Sequence, residues 1–224
     1  QDALESLGLK AKVVDVESFA ISNAFELIRE RDGIRSTETV GIFDVGFDLS
    51  SLLILRNGRG GYTRDHPFGG NQLTEEIMRR YDMAPEQANF FLRGEPGPEN
   101  FEDEVLEPFM LNVVHQISRA LQFYSSSAEF SNIRTIYLSG TMAGIKGLAE
   151  VVEQELGIKT SVANPVEGLD LAPSVAVQAL NRNAPNLMVA MGLALRGFDC
   201  WPESLSCHGV RKRAGNVSAN SSTP

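Results

Sequence analysis

One short polar bend holds the residue types best suited to chemistry. Between the apolar runs Val40-Gly41-Ile42-Phe43 and Leu52-Leu53-Ile54-Leu55 lie Asp44, Gly46, Asp48, Ser50 and Ser51. An acid ends the first run, and a glycine follows whose missing Cβ lets the backbone come close to a ligand. Two hydroxyls able to donate hydrogen bonds come next. A tip of this kind can hold a phosphate on backbone N–H groups while the carboxylate orients a hydrated Mg2+. An Asp-x-Gly after an apolar strand also serves as a plain turn that Asp44 caps, so the bend alone leaves both readings open.

The elements that must position the bend follow from periodicity. Lys10 to Val16 reads as a strand, and Glu17 opens a helix to about Arg31 with Ile21, Ala24, Phe25 and Ile28 on its core face and Asp32-Gly33 ending it. The Thr39–Leu55 hairpin is followed by an Asn57-Gly58 turn and a third strand through Tyr62-Thr63-Arg64. Phe68-Gly69-Gly70 bends into a helix with Asn71 as its N-cap, and a second helix runs from about Pro85 to Leu92. One long amphipathic helix is predicted from Phe101 to Ser125, and these three helices form a small cap. Ile133 to Ser139 returns to strand, Gly140-Thr141-Met142-Ala143 leads into a helix with Leu148 and Val152 inward, and Thr160 to Ala163 is a short strand. A long loop begins at Asn164-Pro165. Pro185 then starts a last helix, Asn186 to Arg196, apolar around most of its girth and therefore expected to be buried, with Gly192 allowing close approach to another backbone.

With 224 residues and 42% hydrophobic content the chain can bury a sizeable core, and no apolar run approaches the ~18 residues of a membrane span. A net charge of −9 without clustered Lys and Arg excludes a nucleic-acid-binding surface, so a phosphate ligand has to arrive with a metal ion. The two cysteines, Cys200 and Cys207, fall in the last stretch, which leaves the body of the fold without a disulfide framework and suits a reducing cytoplasm. With His208 they lack a fourth ligand and a zinc-site spacing. His66 and His115 have no acid–nucleophile set around them and read as packed or solvated side chains. From Cys200 onward the composition is that of a disordered tail.

Three stretches taken in order narrow the reading: a helix opened by Glu17-Ser18-Phe19-Ala20, then strand, Asp44-Val45-Gly46, strand, then strand, Leu138-Ser139-Gly140-Thr141, helix. This order resembles the second half of the actin-like ATPase fold. The phrases VVDVESFAISNAF, DVGFDLSSLLIL, FGGNQLTEEIMRRY, DEVLEPF, VVHQISRALQFY and APNLMVAMGLALRGFD are similar to those of the PilM family, cytoplasmic actin-like proteins of type IV pilus assembly. The resemblance implies an α/β, ribonuclease H-like lobe with a mixed sheet flanked by helices and a small helical cap. It divides the chain into a trailing piece of the first lobe with a connecting helix (1–38), a core sheet (39–68 and 132–184), the cap (69–131), a returning helix (185–199) and the tail (200–224).

By position the resemblance implies that Asp44 and Gly46 belong to a second phosphate hairpin, with Ser50 and Ser51 beside it. Gly140 and Thr141 stand in the adenosine motif, and Glu17 is the acid that positions water. The implied cofactors are ATP and Mg2+, with Asp44 reaching the metal through water. The implied partners are the N-terminal peptide of a PilN-like inner-membrane protein and other pilus assembly proteins, which place the chain at the inner face of the inner membrane. An actin-fold ATPase or kinase with real turnover, and an FtsA-like division protein, are the alternatives. Each residue also has a purely structural role open to it: Glu17 as a helix-start acid favoured by the dipole, Gly140 for its backbone angles.

The departures from the family pattern shape the expectations. The first half of the fold, with its own phosphate hairpin, has no counterpart in these residues, and an N-terminal portion is expected to be missing, which predicts no appreciable ATP hydrolysis by the chain as given. Phe47 and Asp48 stand where small or hydroxyl residues are usual, and Met142 where a hydroxyl is usual. Asn89 and Leu92 occupy the places where relatives hold the ribose and base with Glu and Lys.

Overall fold

The computed structural model describes residues 2–11, 13–92, 97–127 and 133–198. In chain order the elements are α1 (Asp2–Glu5), α2 (Glu17–Arg31), β1 (Thr39–Val45), β2 (Ser50–Arg56), β3 (Arg59–His66), α3 (Gly70–Tyr81), α4 (Pro85–Leu92) and α5 (Glu107–Ser127). They continue with β4 (Ile133–Ser139), α6 (Leu148–Leu156), β5 (Lys159–Val162), α7 (Val177–Asn183) and α8 (Met188–Leu195).

The strands form one mixed sheet in the order β3-β2-β1-β4-β5. β1, β2 and β3 pair antiparallel, as two tight turns dictate, whereas β4 joins β1 and β5 joins β4 in parallel through helical crossovers. Both faces of β1 and β2 are covered, which is why these strands read as near-continuous apolar runs, whereas the edge strand β3 is mostly exposed. Phe43, Val45, Leu52, Ile54, Ile136 and Leu138 face the core shared with α3, α5 and α6. Val40, Ile42, Leu53, Leu55 and Tyr137 face the core shared with α2 and α8. The α/β lobe with a mixed sheet flanked by helices expected from the sequence is thus the architecture found.

Five local expectations are corrected. Lys10 to Val16 carries no strand among its described residues, and Val14 is 93% exposed. An extended segment needs a ladder to complete, and none of the five strands pairs with it. Asn71 does not cap α3. Gly69 is the N-cap, and the hairpin bend itself supplies acceptors: Gly70 N–H donates to Gly46 O at 3.0 Å and Asn71 N–H to Phe47 O at 2.8 Å. The long helix is not uniform, because a π turn spans Glu102–Leu106 ahead of α5. Pro108 is the reason, since its ring would meet the carbonyl one turn back in a regular helix and the wider turn makes room. The loop after Pro165 contains a helix, α7. The last helix is only half covered: Met188 and Gly192 are buried against α2, while Leu193 is 42% exposed. A second helix covers only one flank of α8, and nothing among the described residues covers the other.

α2 is fastened at its C-terminus by a polar network. Tyr137 of β4 donates its hydroxyl to Asp32 Oδ2 at 2.7 Å, and Arg31 Nε donates to Asp32 Oδ1 at 2.7 Å. Arg31 also reaches Asn164 O at 2.8 Å and Glu167 at 2.9 Å, tying in the loop after β5. Phe25 packs edge-on to the Tyr137 ring at 5.0 Å. Tyr137→Phe keeps the ring and deletes one hydrogen bond to a carboxylate, so it is expected to cost about 1.5 kcal/mol of unfolding free energy in a denaturant titration, with no change in slope.

Among the described residues no helix is long and apolar enough to cross a membrane, and no group of metal-ligating side chains is preassembled. The Cys200, Cys207 and His208 group and the tail from residue 200 lie outside the described residues.

Candidate functional site

The bend between β1 and β2 is held by its neighbours on two sides. Gly46 N–H donates to Leu49 O at 3.1 Å, closing the turn, and the carbonyls of Gly46 and Phe47 are taken by the first amides of α3. A trans peptide places N–H opposite C=O, so the N–H groups of Phe47 and Asp48 both point away from α3, side by side. Among the described residues neither has an acceptor. Two adjacent amides without acceptors are donors that an anion could take. The close approach of the bend to α3 requires glycine at position 69, where a Cβ would lie 2.4 Å from Phe47 O.

Asp44 is one step back along β1, on the sheet face that carries Ile42, and the parallel register with β4 sets it beside Ser139. Ser139 donates its hydroxyl to Asp44 Oδ2 at 2.6 Å. The other carboxylate oxygen lies against Gly140, whose backbone has φ +89°. A Cβ on Gly140 would be 2.8 Å from Asp44 Oδ1 and 2.6 Å from Val45 O. Asp44 and Gly140 therefore lie against each other at the C-terminal ends of β1 and β4. Gly140 is fixed there by its N–H bond to Pro185 O at 3.0 Å, and Met142 N–H donates to Val45 O at 3.0 Å.

Burial pushes the Asp44 carboxyl above its ordinary value; the Ser139 hydrogen bond works against this and the negative charge of Glu17 adds to it. Glu17, at the exposed start of α2, thus acts on the same carboxylate. A buried carboxylate whose charge is disfavoured is a group that a nearby cation would stabilise.

Of the residues singled out from the sequence, the fold brings Glu17, Asp44, Gly140 and exposed Thr141 to one end of the sheet, with Gly46 in the adjoining bend. Ser50 lies on the opposite sheet face from Asp44, whereas Ser51 is Asp44's cross-strand partner on the same face. Ser50 is fully buried and donates to Phe68 O at 2.7 Å, while Ser51 donates to Asp65 Oδ1 at 2.7 Å. Met142 is buried, and its sulfur lies 2.7 Å from where a Cβ on Gly70 would be, wedged between the Gly140 turn and α3. The side chains of Asn89 and Leu92 lie outside the described residues. Ser139 was legible only as a motif letter, since its role depends on the β1–β4 register. His66 is packed, not solvated: it is buried beside Phe43, its Nε2 has no partner among the described residues, and burial lowers its basicity. A depression of about 400 Å³ lined by Ala149, Glu150, Glu153, Gln154 and Thr160 opens between α6 and β5 and includes none of these residues.

A family model described as type IV pilus assembly protein PilM matches residues 1–198. The chain belongs to the PilM family. Among solved structures, the PilM–PilN type IV pilus biogenesis complex aligns with a TM-score of 0.75 at 26% identity, over 89% of this chain and 56% of that one. The ethanolamine utilization protein EutJ from Carboxydothermus hydrogenoformans aligns at 0.60 and 17% identity, over 86% and 57%. MreB5 of Spiroplasma citri bound to AMPPNP aligns at 0.55 and 12%, over 85% and 60%. The last two show a shared fold alone. This PilM-family chain spans slightly more than half the length of each of the three. The contact of Asp44 with Gly140 joins the β1–β2 bend to the β4 turn, two of the three stretches on which the resemblance to the actin-like fold rests.

Proposed function

We propose that this chain is the nucleotide-facing lobe of an actin-like scaffold of type IV pilus assembly. It takes ATP with Mg2+ at Asp44 and joins the pilus machine through the N-terminal peptide of a PilN-like inner-membrane protein. The observation that carries the nucleotide reading is the meeting of Asp44 with Gly140 beside two unclaimed backbone amides. The Phe47 and Asp48 amides would receive a phosphate, Asp44 would orient the hydrated cation, and Gly140 with Thr141 would approach the adenosine. A bound Mg2+ would supply positive charge between phosphate and carboxylate. The partner reading rests on the family and on the likeness to a PilM–PilN complex. The inner-membrane position follows from that partner.

Binding as a conformational ligand, without fast turnover, suits the site better than hydrolysis. Asp48 puts a second negative charge on the bend, and Phe47, 40% exposed, adds bulk where a phosphate would approach. Titration calorimetry with Mg·ATP is therefore expected to show weak binding that Asp44→Ala removes. Joint substitution Phe47→Gly with Asp48→Thr is expected to tighten binding by about tenfold, roughly one like-charge contact near the protein surface. Unchanged or weaker affinity in that variant would place the phosphate elsewhere. Phosphate release above background that Asp44→Ala abolishes would make the chain an enzyme. For the partner, a labelled N-terminal peptide of the cognate PilN-like protein gives the direct measurement, by fluorescence anisotropy with and without Mg·ATP.

A further inference from the structure

The outward ridge of α5 is built from residues four apart: Glu107, Leu111, His115, Arg119 and Phe123, each of them exposed. Residues at that spacing form one inclined row on a helix, the row that interdigitates when two helices pack. This row is acidic at one end and basic at the other, with Leu111 38% and Phe123 39% exposed along it. Exposed Asp103 lies just before the acidic end. At the basic end Arg64 of β3 sits 3.8 Å over the Phe123 ring, and Arg119 is 5.9 Å from the same ring.

The charges of this ridge are unmatched within the chain. Arg29, Arg31, Arg35, Arg79, Arg80 and Arg196 each face a carboxylate of their own chain. Among the described residues Arg64 and Arg119 face none within 4 Å, as is also true of Arg56, Arg134 and Arg182, and neither Asp103 nor Glu107 has a cationic partner. Twelve residues separate Glu107 from Arg119, about 18 Å along the helix, so the two cannot meet within one copy.

We propose that this ridge is a self-association surface on which a second copy of the chain packs antiparallel, about a two-fold axis at the level of Val113. That axis sets Glu107 against Arg119 of the second copy and Leu111 against its His115. It also sets Asp103 against the second copy's Phe123 and the Arg64 guanidinium stacked on it. The surface is self-complementary, as a two-fold interface must be. A parallel pairing would juxtapose like charges. An acidic peptide would match only the basic end, whereas a second copy matches both ends and covers Leu111. One helical ridge buries well below the ~1,200 Å² of a stable interface, so the dimer is weak, with a Kd of roughly 10⁻⁵ to 10⁻³ M, and it loosens with salt.

Sedimentation equilibrium of the whole chain from roughly 10 µM to 1 mM tests this. The wild type is expected to approach twice the monomer mass and to fall back in high salt. Glu107→Arg and Arg119→Glu are each expected to weaken association by about tenfold, and the two together to restore it to within about threefold. Leu111→Asp, which leaves the charge pairs intact, is expected to abolish it. All three positions are exposed, so circular-dichroism melting midpoints should match the wild type and keep folding separate from association. A wild type monomeric throughout, association that the single reversals leave unchanged, or a double reversal no better than the singles would each overturn the proposal. So would a monomeric wild type that binds a Glu-rich peptide through Arg64 and Arg119.

Discussion

Gly192→Ala is expected to cost about 3 kcal/mol of stability, the upper part of the range for forcing one extra carbon into a packed site. α8 crosses α2 so closely at this point that a Cβ on residue 192 would lie 1.8 Å from the Ala20 carbonyl oxygen and 2.4 Å from its carbon. Both are backbone atoms of a helix, so neither can swing aside, and the two helices must part. That separation would loosen Ile21, Ala24 and Met188 from the core under β1 and β2 and draw the α2 start, with Glu17, away from Asp44. A loss of roughly 6 to 12 °C in melting temperature is the expected readout for a chain of this size. Gly144→Ala is the control: a Cβ there meets nothing within 4 Å, and the change should stay within about 0.5 kcal/mol. If Gly192→Ala melts with the wild type, the helix crossing described here is wrong.

Asp44→Asn should separate function from stability. Burial and Glu17 disfavour the Asp44 charge, so the folded protein holds this carboxyl above its ordinary value of 3.8. A group with a raised folded value contributes most below 3.8 and loses that contribution as pH rises through the folded value. At neutral pH the ionised Asp44 therefore costs stability. Asparagine removes the charge and still offers Ser139 an acceptor, so the variant is expected to be more stable at pH 7, with the advantage closing as pH falls through the raised folded value. The same variant loses the group that would face a cation, and its Mg2+-dependent nucleotide affinity should fall by about tenfold or more. A variant that is less stable than the wild type at pH 7 would mean that Asp44 is a structural cap. Retained affinity would mean that the cation, if one binds, is held by other groups.

Much of this was legible in the residues. Apolar runs bounded by Asp44-Val45-Gly46 fix β1 and β2, and the Asn57-Gly58 turn leads back into β3, because run length and turn chemistry act over a few residues and need no partner. Ile21, Ala24, Phe25 and Ile28 fix the buried face of α2 for the same reason. Gly192 even announced a close approach, though not its target. The order of the three motifs carried the fold family.

What the sequence could not settle was every feature that depends on a distant segment. The β1–β4 register puts Ser139 beside Asp44, ninety-five residues apart in the chain, and no local pattern encodes that distance. Ser50 and Ser51 stand side by side in sequence, yet adjacent strand residues point to opposite faces: Ser51 pairs with Asp44 and donates to Asp65, while Ser50 faces the other way and donates to Phe68 O. Asn71 has the chemistry of a helix cap, but the bend's own carbonyls reached the helix amides first. Local propensity determined the elements of this protein; which donors remained open, and therefore where a ligand could bind, was decided only when the sheet and helices closed on one another.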